Sequence, residues 1–538
     1  MRRIALHAAL ALALAVTLLP GLAAAADEGS SSENLTHVKN LQYAARNGGT
    51  GNYGTDIEFG TVNGREYAFA GSYRNGMQIV DITDPENAEI VAVYDCGVTQ
   101  GDVQVFTRDD YPGRTFVAYT SDTVGDGTST CYEEARALGF TNTRKANGQG
   151  ANGTFVADVT DPLNPTTVSF VAVPKGSHNQ TVHPSGKFFY NSNSDLITSA
   201  GDQGIEVFDV TDFLAPKLAT KLALPLRPGL GTESHDITFN ADGTRAYSAA
   251  LSQTVIINTE DPANPSIVSS FVDPAINVEH QSDPFSLTDA DGNRRDYLIV
   301  EDEFAGAAGA EPACPSGGVH VYEITGDLER NPVKVGYWNI DDVRPIGPLD
   351  TCTAHVFDVH EDEGIMTIAF YAGGVRVVDI SGLTGYGIGE TPLVGQPMRE
   401  IGHFYFADSN NWSAKTPKID PATGDFYLYG NDINRGLDIF KFDGEAPAQP
   451  PADEPPADNP GNGKGKSSEK GNNGKGNDKG GNDKGNRGGQ AAAQGQTAQT
   501  SSTTSSGGTW LTPAEAALTL PKVDLATLDY TPFCLLPQ

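Results

Sequence analysis

Positive charge is scarce in this chain. Its 538 residues carry 36 Lys and Arg against 69 Asp and Glu, a formal net charge of −33 with a pI near 4.5. Such a surface repels phosphate backbones and anionic lipid headgroups, which argues against nucleic acid or a bare membrane as partner. Long apolar runs are missing after residues 4–19. That run follows Arg2 and Arg3 and precedes Pro20-Gly21 and Ala24-Ala25-Ala26, a secretion-signal pattern with cleavage expected near Ala26. It is short for a membrane span, and it ends in small residues. No long amphipathic stretch of 3.6-residue period occurs, so helices are not the framework; 61 Gly and 33 Pro fit a turn-rich β protein. Nucleophile elbows, phosphate-binding loops and dinucleotide fingerprints are absent too, and no catalytic or cofactor-binding residue is assigned.

What the chain does have is a repeat. The stretch 204–212, GIEVFDVTD, returns at 76–84, 153–161, 254–261, 318–326, 374–382 and 436–444. Each copy alternates apolar residues, as a strand between two packed layers does, and ends in a turn. A hairpin precedes each copy, clearest at 236–248, with turns such as His183-Pro-Ser-Gly186 and Pro421-Ala-Thr-Gly424. An outer strand follows, as at 90–94 and 217–222. Four antiparallel strands, A to D, therefore make one unit, and units of this spacing form a β-propeller.

The seventh unit stops after its strand C, while residues 35–43 read as a strand D without a unit. Supplying that strand to the last unit would remove an exposed edge. The expected fold class is all-β: a seven-bladed propeller over residues 35–444, closed by an N-terminal strand. Residues 1–26 are read as signal peptide and 27–34 as a flexible segment. Residues 445–508, rich in Pro, Gly, Asn and Lys, are read as a disordered linker, and 509–538 as a tail segment.

The run at 77–95, MQIVDITDPENAEIVAVYD, resembles the LVIVD repeat of secreted bacterial and archaeal surface proteins. Residues 158–165 and 377–380 repeat parts of it, and 258–265 is a drifted copy. The resemblance implies a propeller and an extracytoplasmic or cell-surface home. It brings no settled activity and no defined catalytic residues.

The strongest chemical signal is at the start of strand A. Aligned on the following alternation, the first position reads Thr55, Gly101, His178, His235, His280, His355 and Lys415. The next reads Asp56, Asp102, Asn179, Asp236, Gln281, Val356 and Thr416. The chain after strand B adds Asp122, Asn193, Glu301, Asp302 and Asp432. These loops open on one face near the axis, so a polar funnel is expected there. His178, His235, His280 and His355 could converge on Zn, Cu or Fe, with Glu301 and Asp302 behind them. Equally, a histidine entering strand A can fix the turn by bonding the next blade, a packing role that duplication would repeat.

Of the five cysteines, Cys96 and Cys131 belong to loops of the second unit on the histidine face, and Cys314 and Cys352 to adjacent loops of the fifth and sixth. Pairs Cys96–Cys131 and Cys314–Cys352 are expected, with Cys534 left over; export permits both. Two functions stay open. One is a secreted, non-enzymatic module that meets an extracellular protein or polymer through the polar histidine face. The other is a metal-dependent hydrolase or oxidase.

Overall fold

A computed structural model describes residues 29–44, 51–122, 125–194, 204–227, 230–304, 314–342, 351–390 and 397–444. The expected signal peptide, linker, C-terminal tail and Cys534 lie outside these residues. No helix among the described residues is long and apolar enough to cross a membrane.

The alternating stretches become strands, and consecutive strands pair antiparallel. Five sheets have four strands each, and one has nine. The four-stranded sheets run in chain order from Gly54–Val62 through Val333–Trp338, with one departure: in the second the helix Thr130–Ala137 precedes the third strand. The nine-stranded sheet contains His355–His360, Ile365–Ala369, Val375–Asp379 and Arg399–Tyr405, then Asn411–Lys415, Phe426–Asp432, Gly436–Phe442 and Leu35–Leu41. Its two halves meet at one parallel bridge, Val356 to Ser413.

First strands of successive sheets are neighbours: Gly54–Val62 touches Gln100–Thr107, which touches Ser177–Val182, and so on to Asn411–Lys415. That last strand returns to Gly54–Val62. The arrangement is a β-propeller, with the first strands round the axis. Between sheets lie apolar layers, such as Phe69, Ile79, Val117 and Phe155 between the first two.

Leu35–Leu41 pairs with Gly436–Phe442, from Leu35 opposite Phe442 to Leu41 opposite Leu437. It stands where other sheets carry strand D. A glycine shows the equivalence. Gly76 has φ +83°, and a Cβ there would lie 2.5 Å from the Tyr94 carbonyl oxygen on its strand D. Gly436, with φ +85°, has the same relation at 2.5 Å to Leu41 O on the N-terminal strand. Both positions require glycine because the outer strand's backbone covers the space a side chain would take.

The segment expected to be flexible, 27–34, is partly built into the sheet. Ser30 and Ser31 pair with Tyr405 and Phe404, and Ser32 N–H donates to His403 O. A free edge of Arg399–Tyr405 recruits this backbone, a pull that the polar composition of 29–33 does not show.

Both expected disulfides are present, with Cα atoms 5.1 Å apart for Cys96–Cys131 and 5.0 Å for Cys314–Cys352. Cys131 sits on the helix Thr130–Ala137, a short amphipathic turn inside the long loop, which packs Tyr132 and Ala135 into the apolar layer.

Candidate functional site

Six of the seven first strands begin with a register shift. The shift falls between Gly54 and Ile57, Gln100 and Val103, Ser177 and Asn179, Glu279 and Ser282, His355 and Phe357, and Asn411 and Ser413. In the fourth sheet the Ala249 carbonyl accepts from His235 N–H although Ala249 faces Asp236. A bulge places two residues against one, bends the strand and re-aims its side chains. This explains why a polar pair recurs at the start of strand A: it occupies the bulge.

The bulges align the strands better than the apolar alternation does. In the last sheet the bulge position is Trp412, with Ser413 after it, and not Lys415 with Thr416. The sequence alignment of that strand is therefore displaced by three residues. The seventh strand runs Asn-Trp-Ser-Ala-Lys, and its lysine mimics the polar entry seen elsewhere. Register then gives three tiers along the axis. The first holds the four histidines and Trp412, with Thr55 and Gly101 completing it.

The four histidines are 0–2% exposed. They stand in a row: ring centroids are 4.4 Å apart for His178–His235, 4.1 Å for His235–His280 and 4.3 Å for His280–His355. Trp412 continues the row, 4.6 Å from His355. The bulges turn the imidazoles inward, so within the expected polar histidine face the four rings themselves are buried.

Each histidine has a definite set of partners. His355 Nδ1 donates to Trp412 O at 2.5 Å, which fixes the tautomer and leaves a lone pair on Nε2. Nε2 lies 3.7 Å from Glu303 Oε1. His280 Nδ1 is 2.7 Å from Glu301 Oε2, and its Nε2 is 3.8 Å from Glu303 Oε2. Glu303 also accepts from the Tyr371 hydroxyl at 2.8 Å. His178 Nε2 is 3.0 Å from His235 Nε2, and His178 Nδ1 is 3.4 Å from Asp122 Oδ2. His235 Nδ1, His355 Nε2, Glu301 Oε1 and Asp122 Oδ1 are buried without a hydrogen-bond partner. Two groups have ligand atoms close enough to share a cation: His280, Glu303 and His355, and His235, Asp236 and His280.

Burial pushes His235 and His280 well below the ordinary imidazole range, with neighbouring imidazoles adding to it, and brings His355 down to about 3. These three are neutral at physiological pH and able to offer lone pairs. Burial first, and then Glu303, hold Glu301 well above the usual carboxyl range.

The sequence-selected residues divide. The four histidines, Glu301 and Asp122 come together. Asp302 does not: its carboxylate accepts from the backbone N–H groups of Asn277 and Val278 at 3.1 and 2.9 Å and shapes the loop into its own sheet. Asp432 does the same for Asn410, Asn434 and Arg435. Sequence reading missed Glu303, Tyr371 and Trp412. Glu303 had a signal, since it follows Glu301 by two residues and so falls on the same side of an extended chain.

Beside the imidazoles opens a cavity of about 360 Å³. Its lining includes His235, His280 and Trp412 at one end and Pro184, Asn240 and Ala241 at the other. The latter belong to the turns between strands A and B, so the cavity reaches the mouth opposite the one expected from sequence. Within it, burial first and then Asp56 hold Asp102 and Asp236 well above the usual carboxyl range. Burial also pushes Glu58 up to about 7 and Asp283 to about 6. Lys415 lies 2.9 Å from Asp56 and 2.8 Å from Glu58, and these carboxylates outweigh burial and keep it charged.

The raised carboxyls have a consequence for stability. Between an unfolded value near 4 and a folded value near 6 to 7, the folded chain binds more protons than the unfolded one, so stability falls as pH rises through that window. The depressed His235, His280 and His355 act the other way below about pH 6.5, but the raised carboxyls outnumber them, so chelator-treated protein is expected to melt a few °C higher at pH 5 than at pH 8. Asp283→Asn should reduce that difference. Exposed acids held low by partners, such as Asp110 and Asp242, lose their contribution only below about pH 4. Thermal melts across pH check this; a melting point that is flat or rises from pH 5 to 8 would contradict it.

Comparison with known proteins adds little here. No protein-family model matches the chain, and no curated protein matches it. Solved structures do resemble it. The periplasmic gluconolactonase PpgL of Pseudomonas aeruginosa is 12% identical with a TM-score of 0.44, over 71% of this chain and 97% of that one. The β-propeller domain of Cps50 (Swd1) from Myceliophteria thermophila is 9% identical with a TM-score of 0.42, over 73% and 97%. A functionally unknown protein from Desulfotomaculum acetoxidans is 14% identical with a TM-score of 0.39, over 66% and 90%. At these scores the likenesses carry no functional argument, and the site is read from its own atoms.

Proposed function

We propose that the chain is an extracytoplasmic, seven-bladed propeller of the LVIVD-repeat type that holds a transition-metal ion on its axis. Seven blades result when the nine-stranded sheet is read as two four-stranded blades joined at the Val356–Ser413 bridge, with Ser30–Ser31 as an added edge. The two disulfides are compatible with an oxidising compartment.

One observation carries the metal reading. His280 and His355 point both Nε2 atoms at Glu303, while Glu301 and the Trp412 carbonyl hold their Nδ1 atoms. Metal-binding histidines are usually oriented in this way, by an acceptor on the other ring nitrogen. His280, His355 and Glu303 would hold the ion, with His235 beside them; Tyr371 would orient Glu303. A mixed imidazole and carboxylate set suits Zn, Cu or Fe. The unpaired Nε2 of His355 fits a ligand role better than a turn-fixing one.

Bound there, the ion would supply Lewis acidity next to the cavity. That cavity favours a second reading, a metal-dependent hydrolase or oxidase acting on a small molecule, because His235 and His280 line it. An extracellular protein or polymer would have to meet the loops instead. Elemental analysis of untagged protein is the test. About one equivalent of Zn, Cu or Fe, removed by chelator and restored on titration, is expected. Protein that carries no metal and takes up none would end this reading.

A further inference from the structure

The second and third tiers of the axial channel are strongly acidic, and the metal does not use most of them. The second tier, the residue after each bulge, contains Asp56, Asp102 and Asp236, with Asn179 and Gln281. The third, two residues on, contains Glu58, Asp283 and Asp358. Two residues of strand separate the tiers by roughly 7 Å. Six carboxylates thus line one cavity, and Lys415 is the single Lys or Arg among its lining residues.

That lysine is committed to Asp56 and Glu58. Thr238 and Gln281 donate to Asp283, and Asn179 donates to Asp236; these neutral donors bring no compensating positive charge. A second observation points to a ligand. His235 is 1% exposed and lines the cavity, and its Nδ1 makes no hydrogen bond, with Asp236 Oδ1 3.6 Å away. The inner end also presents Trp412. An aromatic face beside carboxylates suits an alkylammonium group better than a bare metal ion, because the methylenes pack on the ring while the charge meets the acids.

We propose that this channel binds a linear polyamine, with one ammonium in each carboxylate tier and the chain lying along the axis. A linear shape follows from the tiers, which repeat along the strands and not round a compact pocket. The inference stands on the channel alone and holds with or without an ion among the histidines.

The test is calorimetric titration of spermidine into the full-length protein, once as purified and once after chelation. Saturable one-to-one binding is expected in both, at least tenfold tighter than for the monoamine butylamine, which can fill only one tier. Asp236→Asn with Asp283→Asn should weaken it at least tenfold, and Lys415→Met should tighten it by releasing Asp56 and Glu58. If the double variant does not fold, Asp358→Asn serves: its side chain is 39% exposed at the channel, and it should weaken binding severalfold. No saturable binding, binding unchanged in Asp358→Asn, or displacement of spermidine by equimolar calcium or zinc would overturn the proposal. Spermidine binding without any metal uptake would leave it intact while ending the axial-metal reading.

Discussion

His355→Ala is expected to abolish stoichiometric metal binding, a loss beyond the 10- to 100-fold typical when a supporting residue is removed. The variant takes away an imidazole whose tautomer is fixed by the Trp412 carbonyl and whose Nε2 has no hydrogen-bond partner. Glu303→Gln should behave similarly, because a neutral amide cannot balance the charge of a divalent ion among neutral imidazoles. Tyr371→Phe removes only the hydroxyl that donates to Glu303 and is expected to cost about tenfold. The graded order His355 and Glu303, then Tyr371, separates a metal site from a packing cluster. Titration with zinc, followed by melting in chelator, measures both. If all three variants lower the chelated melting point and none changes zinc affinity, the histidines are structural. A purely packing role would also predict that His355→Gln, which keeps a buried polar group, restores the wild-type behaviour; a ligand role predicts that it does not.

The architecture was legible because a repeat multiplies weak signals. One GIEVFDVTD stretch is an ambiguous strand; copies spaced along the chain, each with a turn at the same offset, are not. The disulfides followed from that map, since loops placed on one face of neighbouring units limit which cysteines can meet. Side-chain direction was less accessible. Apolar alternation has period two, and a bulge breaks that period at the position where function concentrates. The aligned pairs were therefore right in six strands and displaced in the seventh, where Lys415 looked like an entry residue and Trp412 held the place. Burial was invisible for the same reason. His178 and His235 sit in polar contexts, Ser-His-Asn and Ser-His-Asp, that read as surface, yet both are almost fully enclosed. The acidic tiers could have been read once the bulge was known, because Asp56 and Glu58 are spaced by two.

Leu35→Asp is expected to unfold or aggregate the protein, and Leu35→Ala to cost about 3 kcal/mol. Leu35 is 1% exposed and packs with Phe426, Leu428, Phe440 and Phe442, although some 400 residues of chain separate it from the last of these. Its strand completes the last sheet through backbone pairs and through Asp438, which accepts from Asn40 at 3.0 Å and lies 2.8 Å from His37 Nε2. Losing it would uncover the edge of Gly436–Phe442, an apolar strand with free backbone groups, and such edges recruit other chains. A buried carboxylate at position 35 has no cation to meet among Phe426, Phe440 and Phe442, so it must either stay unpaired or open the sheet. Leu218, 54% exposed on an outer strand, is the control: Leu218→Ala should stay within about 0.5 kcal/mol. Chemical denaturation with size-exclusion chromatography gives both readouts. Should Leu35→Asp remain monomeric with the stability of the control, the ring would not depend on its N-terminal strand. In that case the equivalence of Gly436 and Gly76 would reflect local geometry alone, and the propeller would tolerate loss of the strand that completes its last sheet.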